Sequence, residues 1–287
     1  MDKVWIITGA NSGFGLAFAR AAIEAGDVVV AAVRRPETMD ALAAQFPDRL
    51  DVVPFDVTAT TRAQAVVDDI VARHGHVDVL VNNAGRTHVG AAEETTEDEL
   101  RSLFELHFFG VVALTRAVLP QMRQQRRGAI VQLSSMGGQM SFAGFSAYSA
   151  TKFALEGWSE GLAHEVRPFG IDLLIVEPGA FRTGLFDPTR RTFSTDQGDY
   201  ADTVGGTRAM VEGGDGDQAG DPAKLARLVV EVLGSGRVPL RLPVGADGVD
   251  AVLSHLDAVR ADIDAWEKAA RNTAFDPASD PASAPTP

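Results

Sequence analysis

The sequence contains no cysteine, which excludes disulfide bonds, thiol nucleophiles and cysteine-based zinc or iron–sulfur sites. This absence fits a reducing compartment, and we expect a cytoplasmic location. The chain also lacks the run of about 18 consecutive apolar residues that a membrane-spanning helix needs. Its apolar start, Val4–Ile7, is too short for the core of a signal peptide. We therefore expect a soluble protein with no membrane partner.

Positive charge is also scarce. The 26 Lys and Arg residues stand against 39 Asp and Glu, which gives a net charge of −13, and no basic run is longer than a pair. Because nucleic-acid binding needs clustered cations, we expect no nucleic-acid partner. The 6 histidines form no histidine–carboxylate cluster with the spacing of metal ligands, so we expect no metal site.

The 287 residues, 45% of them hydrophobic, contain apolar, β-branched runs that alternate with stretches of helical periodicity. The strand-like runs are Val4–Ile7, Val28–Val33, Val52–Phe55, Val77–Val81, Ala129–Leu133 and Ile171–Val176. The helix-like stretches include Gly15–Ala25, Thr61–His74, Thr96–Arg123 and Tyr148–Arg167. This alternation predicts a single-domain α/β fold, a Rossmann-like doubly wound parallel sheet with helices on both faces.

The pattern changes after Pro178-Gly179. We expect one domain over residues 1–245, with an irregular lid at about 180–221, because a long irregular segment in a compact domain is usually functional. Regular structure resumes with a helix at Pro222–Leu233 and a strand near Val238–Leu242. Residues 246–275 are predicted to form a C-terminal helical extension, and the Pro- and Ala-rich residues 276–287 a disordered tail.

A glycine-rich segment, Thr8–Gly15, follows the first strand directly and precedes a helix. Glycines let the backbone approach a pyrophosphate at the positive end of that helix. The predicted cofactor contacts there are Gly9, Asn11, Ser12, Gly13, Phe14 and Gly15. Alternatively, the segment is a turn that only packs the helix against the strand.

The end of the second strand carries Arg34 and Arg35 and no carboxylate. A carboxylate there would accept hydrogen bonds from the ribose of NAD, whereas a guanidinium matches the extra phosphate of NADP. We therefore predict NADP in preference to NAD, the alternative being that both arginines are merely solvated. After the third strand, Asp56 and Val57 are placed to contact the adenine.

Tyr148 and Lys152 are four residues apart, on one face of a predicted helix. A free tyrosine has a pKa of about 10, and lowering it to about 7 requires roughly 4 kcal/mol. A cation about 4 Å away supplies roughly that much at an effective dielectric constant near 20. Lys152 is therefore sufficient to make Tyr148 an acid/base at neutral pH.

Together these motifs resemble the short-chain dehydrogenase/reductase family over nearly the whole chain to about residue 245. The resemblance is carried by Thr8–Gly15, Asp56, Asn82-Asn83-Ala84-Gly85, Ser135, Tyr148, Lys152 and Pro178-Gly179 through Thr183. It implies hydride transfer between a nicotinamide and a carbonyl or alcohol carbon.

The resemblance also implies residue roles. Ser135 would hydrogen-bond the substrate oxygen, Tyr148 would exchange the proton, and Lys152 would hold the nicotinamide ribose while lowering the tyrosine pKa. The remaining implied cofactor contacts are Asn83, Ala84 and Gly85 on the adenosine side, and Pro178, Gly179 and Thr183 near the carboxamide. The family further implies a homodimer or homotetramer that joins through two long helices. The outward faces of these helices carry Val111, Leu114, Phe153 and Trp158, each of which is either an interface or a core residue.

His107 departs from the family pattern, which usually has Asn at this position to anchor a water in a proton relay. A neutral imidazole also offers one donor and one acceptor, but it can acquire charge. One hypothesis is a modified relay in which His107→Asn alters the acidic limb of the pH–rate profile. The alternative is a helix histidine satisfied by hydrogen bonds to the backbone.

Apolar residues near the catalytic motif predict a pocket for a hydrophobic ketone, aldehyde or secondary alcohol. They are Met136, Met140, Phe142, Phe145, Phe181 and Phe186, and each is alternatively a core residue. Arg182, Arg190 and Arg191 leave an acidic substrate open.

Two functions follow from these motifs. The first is an NADP-dependent reductase, which the complete set of Ser135, Tyr148 and Lys152 favours. The second is a nucleotide-binding redox sensor or scaffold with little turnover, for which His107 is the supporting feature.

Overall fold

The computed structural model describes residues 2–214 and 216–274. Along these residues, strands alternate with helices. The strands are β1 Val4–Thr8, β2 Val28–Val33, β3 Leu50–Pro54, β4 Val79–Asn82, β5 Thr87–Val89, β6 Gly128–Leu133, β7 Ile171–Pro178, β8 Arg191–Phe193 and β9 Arg241–Val244. The helices are α1 Gly13–Glu24, α2 Asp40–Gln45, α3 Ala63–His74, α4 Glu97–Phe104, α5 Gly110–Gln125, α6 Ser146–Val166, α7 Ala201–Gly213, α8 Pro222–Gly234 and α9 Ala246–Arg271.

Seven strands form one parallel sheet in the order β3-β2-β1-β4-β6-β7-β9. The chain builds outward from β1 to β3, then returns to β4 on the other side of β1. The carboxyl ends of β1 and β4 therefore flank the point where the winding reverses, which is where ligands bind on such sheets.

Both faces of the sheet are buried, as the apolar strands predict. Trp5 and Ile7 in β1 pack with α1, α2 and α8 on one face. Val4 and Ile6 point the other way and pack with α3, α5 and α6. The predicted doubly wound parallel sheet is thus confirmed.

The helix predicted over Thr96–Arg123 is interrupted. Thr96 caps α4 through a reciprocal pair of bonds with Glu99, and a single π-helical turn, Glu105–Phe109, separates α4 from α5. The combined segment Glu97–Gln125 is long and apolar enough to cross a membrane by length and composition. Its buried residues contact α3, α6 and the sheet.

The segment 180–221 is not irregular throughout, which corrects the sequence-based expectation. It contains α7 and also β8, which pairs with β5 in a small second sheet. Its buried apolar cluster consists of Val89, Ala91, Val204 and Val211, with Phe186 and Phe193 packed against it. Gly205 and Gly206, which weaken a helical pattern, conceal α7 in the sequence.

The candidate interface residues divide into two groups. Val111 and Leu114 are 7% and 0% exposed, so of the two alternatives, interface or core, they belong to the core. Trp158 also packs partly against the core, whereas Phe153 is exposed. The expected disordered tail, residues 276–287, lies outside the described residues.

Candidate active site

A cavity of about 560 Å³ opens at the carboxyl ends of β1, β2, β3 and β4. It gathers most of the predicted cofactor contacts. These are Gly9, Asn11, Ser12, Gly13, Phe14, Arg34, Arg35, Asp56, Val57, Asn83, Ala84, Gly85, Tyr148, Lys152 and Thr183. Segments distant in sequence thus meet in one crevice, as parallel-sheet topology requires.

The glycine-rich turn at one wall leaves backbone donors free. Helix α1 begins at Gly13, the Ser12 side chain makes no capping hydrogen bond, and the first turn carries no acidic residue. A Cβ on Gly15 would overlap the carbonyl oxygen of Gly9, so the turn needs glycine for its close approach. The Asn83 side-chain amide donates to the Thr8 carbonyl over 2.8 Å and holds this turn against β4. A helix N-terminus of this kind suits an anion.

Arginines line another wall. Arg34 and Arg35 lie there as predicted, and Arg86 and Arg190 join them. Burial and the charge of Arg34 both lower the pKa of Arg86, which places the two guanidiniums near each other. Within the described part of the chain, Nε of Arg86 is buried and has no hydrogen-bond partner. This wall therefore favours a ligand with negative charge.

The sequence analysis missed Arg86, and it named Arg190 only as a residue that leaves an acidic substrate open. The signal for Arg86 was its position directly after Gly85, at the carboxyl end of β4. Arg190 lies in the lid, and the composition of the lid does not predict that this segment lines the cavity. One oxygen of the neighbouring Asp56 carboxylate, Oδ1, accepts hydrogen bonds from the Thr58 amide and hydroxyl at 3.0 and 2.8 Å.

Tyr148 and Lys152 lie on the first turns of α6, facing the same cavity. The ammonium of Lys152 donates to the Leu133 carbonyl over 2.7 Å and stands 5.7 Å from the centre of the Tyr148 ring. The Ser135 hydroxyl oxygen accepts the Gly137 amide over 3.0 Å, which leaves its own hydrogen free to donate. Ser135 and Tyr148 also line a second, smaller cavity beside the first.

Burial controls the protonation of both catalytic candidates. It raises the pKa of Tyr148 to about 12, although the Ser135 side chain acts in the opposite direction. It lowers the pKa of Lys152 to about 8, although the Glu156 carboxylate opposes this shift. Burial is the largest cause of the raised pKa and Lys152 is not among the causes, so the expectation that Lys152 brings the pKa of Tyr148 toward neutrality stays a prediction. The tyrosine is a protonated phenol at neutral pH.

His107 lies on the π-helical turn, 1% exposed, with its ring edge-on to Tyr148 at 5.6 Å between centroids. Its Nε2 accepts the Arg86 amide over 3.2 Å, so Nδ1 carries the proton and donates to the Thr151 hydroxyl over 2.9 Å. That hydroxyl donates in turn to the Tyr148 carbonyl over 2.7 Å.

Burial, with the charges of Lys152 and Arg86, lowers the pKa of His107 well below its usual value. The imidazole is therefore neutral and both nitrogens are engaged. This arrangement supports the alternative of a satisfied helix histidine and argues against a relay in which His107 becomes charged. Through the Thr151 hydroxyl, His107 is bonded to the first turns of α6.

A buried carboxyl pair lies behind Lys152, and sequence reasoning missed it. Glu156 and Glu177 are 4% and 0% exposed, and Arg241 Nε lies 3.0 Å from Glu156 and 3.6 Å from Glu177. The Gln139 side-chain amide donates to Glu177 over 2.8 Å. Burial raises the pKa of Glu177 to about 7 and also raises that of Glu156. The signal was the carboxylate that interrupts the apolar strand β7.

The predicted apolar pocket is only partly assembled. Phe181 and Phe186 line the smaller cavity, of about 80 Å³, together with Phe14 and Leu185. Phe145 instead packs against the Tyr148 ring at 5.8 Å, and Phe142 is 43% exposed. Met136 and Met140 line neither cavity. The lid residues thus form the wall next to the catalytic candidates.

The larger cavity fits a dinucleotide. The free N-terminus of α1, the glycine turn without room for side chains and the arginine wall are each suited to phosphate groups. Fold and site together define a Rossmann-type, nucleotide-binding oxidoreductase.

The comparisons with known proteins give this class a family. The model described as "short chain dehydrogenase" matches residues 3–193, so the chain belongs to the short-chain dehydrogenase family. A 3-ketodihydrosphingosine reductase from Bacteroides thetaiotaomicron is 37% identical over 244 residues, 85% of this chain and 88% of the relative.

Solved structures agree with this assignment. A short-chain dehydrogenase from Streptomyces avermitilis is 57% identical, with a TM-score of 0.90 over 96% of this chain and 100% of its own. A short-chain dehydrogenase/reductase from Burkholderia phymatum, in complex with NAD, is 26% identical, with a TM-score of 0.77 over 92% and 95%. The expected family is thereby confirmed, and a nicotinamide cofactor is supported.

Proposed function

We propose that this protein is an NADP(H)-dependent reductase of a hydrophobic carbonyl compound. One observation carries the proposal: a single crevice holds a proton donor, a buried cation and an arginine wall. Tyr148 and Lys152 line it together with Arg34, Arg35 and Arg86.

The chain's own residues perform the acid/base part of the reaction. When bound, a nicotinamide supplies or accepts the hydride. Tyr148, protonated at neutral pH, donates its proton to the carbonyl oxygen of the substrate, and the Ser135 hydroxyl donates a hydrogen bond to the same oxygen. Lys152 stands beside the phenol and provides a positive charge that stabilises the tyrosinate left after proton transfer.

The preference for NADP rests on charge. Arg34 and Arg35 stand at the end of β2, where a carboxylate would favour NAD, and Arg86 adds a third guanidinium near Arg34. Arg34 and Arg86 repel each other, and a bound phosphate would relieve that repulsion. A 2′-phosphate is the group that distinguishes NADP from NAD.

The substrate proposal rests on the lid side of the site. Phe14, Phe181, Leu185 and Phe186 line the cavity next to Ser135 and Tyr148. The similarity to a 3-ketodihydrosphingosine reductase supports a ketone on an aliphatic chain. We therefore propose an aliphatic ketone as the substrate class.

The direct test measures initial rates with NADPH and NADH across aliphatic ketones and aldehydes that include 3-ketodihydrosphingosine. Tyr148→Phe removes the proton donor and is expected to lower kcat by about 10²–10⁴. Tyr200→Phe, at the only other tyrosine and half-buried on the lid, is the matched control and should retain activity. Tight NADPH binding without turnover would instead support the sensor or scaffold function.

A second set of variants tests the cofactor preference. Arg34→Ala should lower kcat/KM for NADPH about tenfold or more, as expected for a lost charge-assisted hydrogen bond, and leave NADH unaffected. Arg20→Ala, on the exposed face of α1, is the control. An equal loss with both cofactors would overturn the assignment.

A further inference from the structure

The last helix, α9, leaves the body of the protein. Val252 is its last buried residue, and beyond it the helix continues for five more turns to Arg271 with its side chains mostly in solvent. Several of these side chains are large and apolar: Leu253 is 56% exposed, Leu256 50%, Val259 40%, Ile263 60% and Trp266 72%. Contiguous exposed apolar surface of this kind marks an interaction site.

Apolar residues of α9 follow a heptad pattern. Val249, Val252, Leu256, Val259, Ile263, Trp266 and Ala270 are separated by alternating steps of three and four residues. This spacing forms a stripe that faces one partner helix in a coiled coil. We call Leu256, Val259, Ile263, Trp266 and Ala270 the α9 stripe. We propose that two copies of this chain associate antiparallel through the α9 stripe.

The charges that flank the α9 stripe favour a second copy of this chain as the partner, and they favour an antiparallel orientation of the two helices. Arg260 and Glu267 border the α9 stripe on one side and Asp262 on the other. In a parallel pair, Asp262 would face Glu267 of the other copy, so like charges would meet twice. In an antiparallel pair with Ile263 opposite Trp266, Arg260 faces Glu267 twice, so opposite charges meet. The sequence is thus complementary to itself in the antiparallel direction.

The length of the exposed helix fits this register. With Ile263 opposite Trp266, Val259 lies opposite Ala270 and Ala258 opposite Arg271, the last residue of α9. The helix pairing therefore ends about two turns beyond Val252, where the body of the protein begins to cover α9. Helix α9 also carries six acidic and three basic residues, which disfavours an anionic lipid surface as the occupant.

Sedimentation or light scattering tests the association. Ile263→Asp places a charge in the α9 stripe and should halve the molar mass of the assembly, with a red shift of Trp266 emission on dissociation. Ala261→Asp adds the same charge on the opposite face of α9 and should keep the wild-type mass. A wild-type monomer in concentrated solution, an unchanged mass of Ile263→Asp, or an equal loss in both variants would overturn the proposal.

Cross-linking tests the direction. Because the chain has no cysteine, Arg260→Cys and Glu267→Cys each introduce a single reactive thiol. A mixture of the two variants treated with a short bismaleimide should give covalent dimers, and each variant alone should give few. The absence of cross-linked dimers in the mixture, or cross-linking that is equal in every sample, would overturn the antiparallel pairing.

Discussion

At the scale of single residues, the protonation of Tyr148 determines which direction of the reaction is easier. A phenol with a pKa of about 12 is ready to donate a proton to a carbonyl oxygen at neutral pH. Oxidation of an alcohol needs the phenolate, which is scarce until the pH approaches that pKa. The proposed proton transfer from Tyr148 therefore favours reduction over oxidation at neutral pH.

We expect opposite pH dependences for the two directions. The rate of reduction should be nearly constant below pH 8 and fall above it, because Lys152, with a pKa of about 8, loses its charge there. The rate of oxidation should rise with pH as Tyr148 ionises. Rate profiles in both directions test this, and an oxidation rate that is already maximal at acidic pH would contradict it.

We expect the substitution His107→Asn to leave the acidic limb of the pH–rate profile for oxidation unchanged. Its pKa lies well below the usual value because of burial and two nearby cations, so the imidazole stays neutral in the working range. In His107→Asn the acidic limb should keep its midpoint, while the free energy of unfolding falls by about 1–3 kcal/mol, because a buried partner is left unsatisfied.

The control for His107→Asn is His164→Asn, at an exposed position near the end of α6. That variant should change neither the profile nor the stability. A displaced acidic limb in His107→Asn alone would restore the hypothesis that the histidine titrates during turnover.

At the scale of elements, the buried carboxyl pair joins three parts of the fold. Glu156 lies on α6, Glu177 on β7 and Arg241 on β9, so one cation holds the end of the sheet against the catalytic helix. Two carboxylates beside one guanidinium leave excess negative charge in a dry environment. Retaining a proton on the pair reduces that cost, which explains the raised pKa of Glu177.

The pair makes stability depend on pH with a definite sign. A carboxyl whose pKa rises from 4.5 to about 7 on folding stabilises the fold fully at low pH and loses this contribution as the pH rises through 7. The loss amounts to at most roughly 3 kcal/mol. Glu177→Gln, which stays neutral, should flatten the fall in stability between pH 5 and 8.

Urea unfolding at the two pH values measures this difference. Glu165→Gln, on the exposed surface of α6, removes a carboxylate without removing the buried pair and should follow the wild type. If Glu177→Gln keeps the full pH dependence of the wild type, the carboxyl pair does not retain a proton.

At the scale of the whole molecule, the parallel sheet and the glycine turn were predictable because local patterns specify them. Apolar β-branched runs identify β1 and β2, and Gly9 and Gly13 adopt positive φ values that favour glycine. The approach of Arg86 to Arg34 and the pairing of Glu156 with Glu177 depend on tertiary packing. The sequence alone therefore could not reveal them, nor could it show that burial would raise the pKa of Tyr148.

The cavity also links cofactor binding to the stability of the whole fold. Its walls come from the β1–α1 turn, the ends of β2, β3 and β4, helix α6 and the lid, which are together only in the folded chain. A ligand that binds there and not to the unfolded chain stabilises the fold by about 2.7 kcal/mol at a hundred times its Kd. At equal concentrations NADPH should therefore raise Tm more than NADH. In Arg34→Ala the difference between the two should shrink, whereas Arg20→Ala should preserve it. Equal increases in Tm with both cofactors in the wild-type protein would show that the arginine wall does not bind the 2′-phosphate, the group that distinguishes NADPH from NADH.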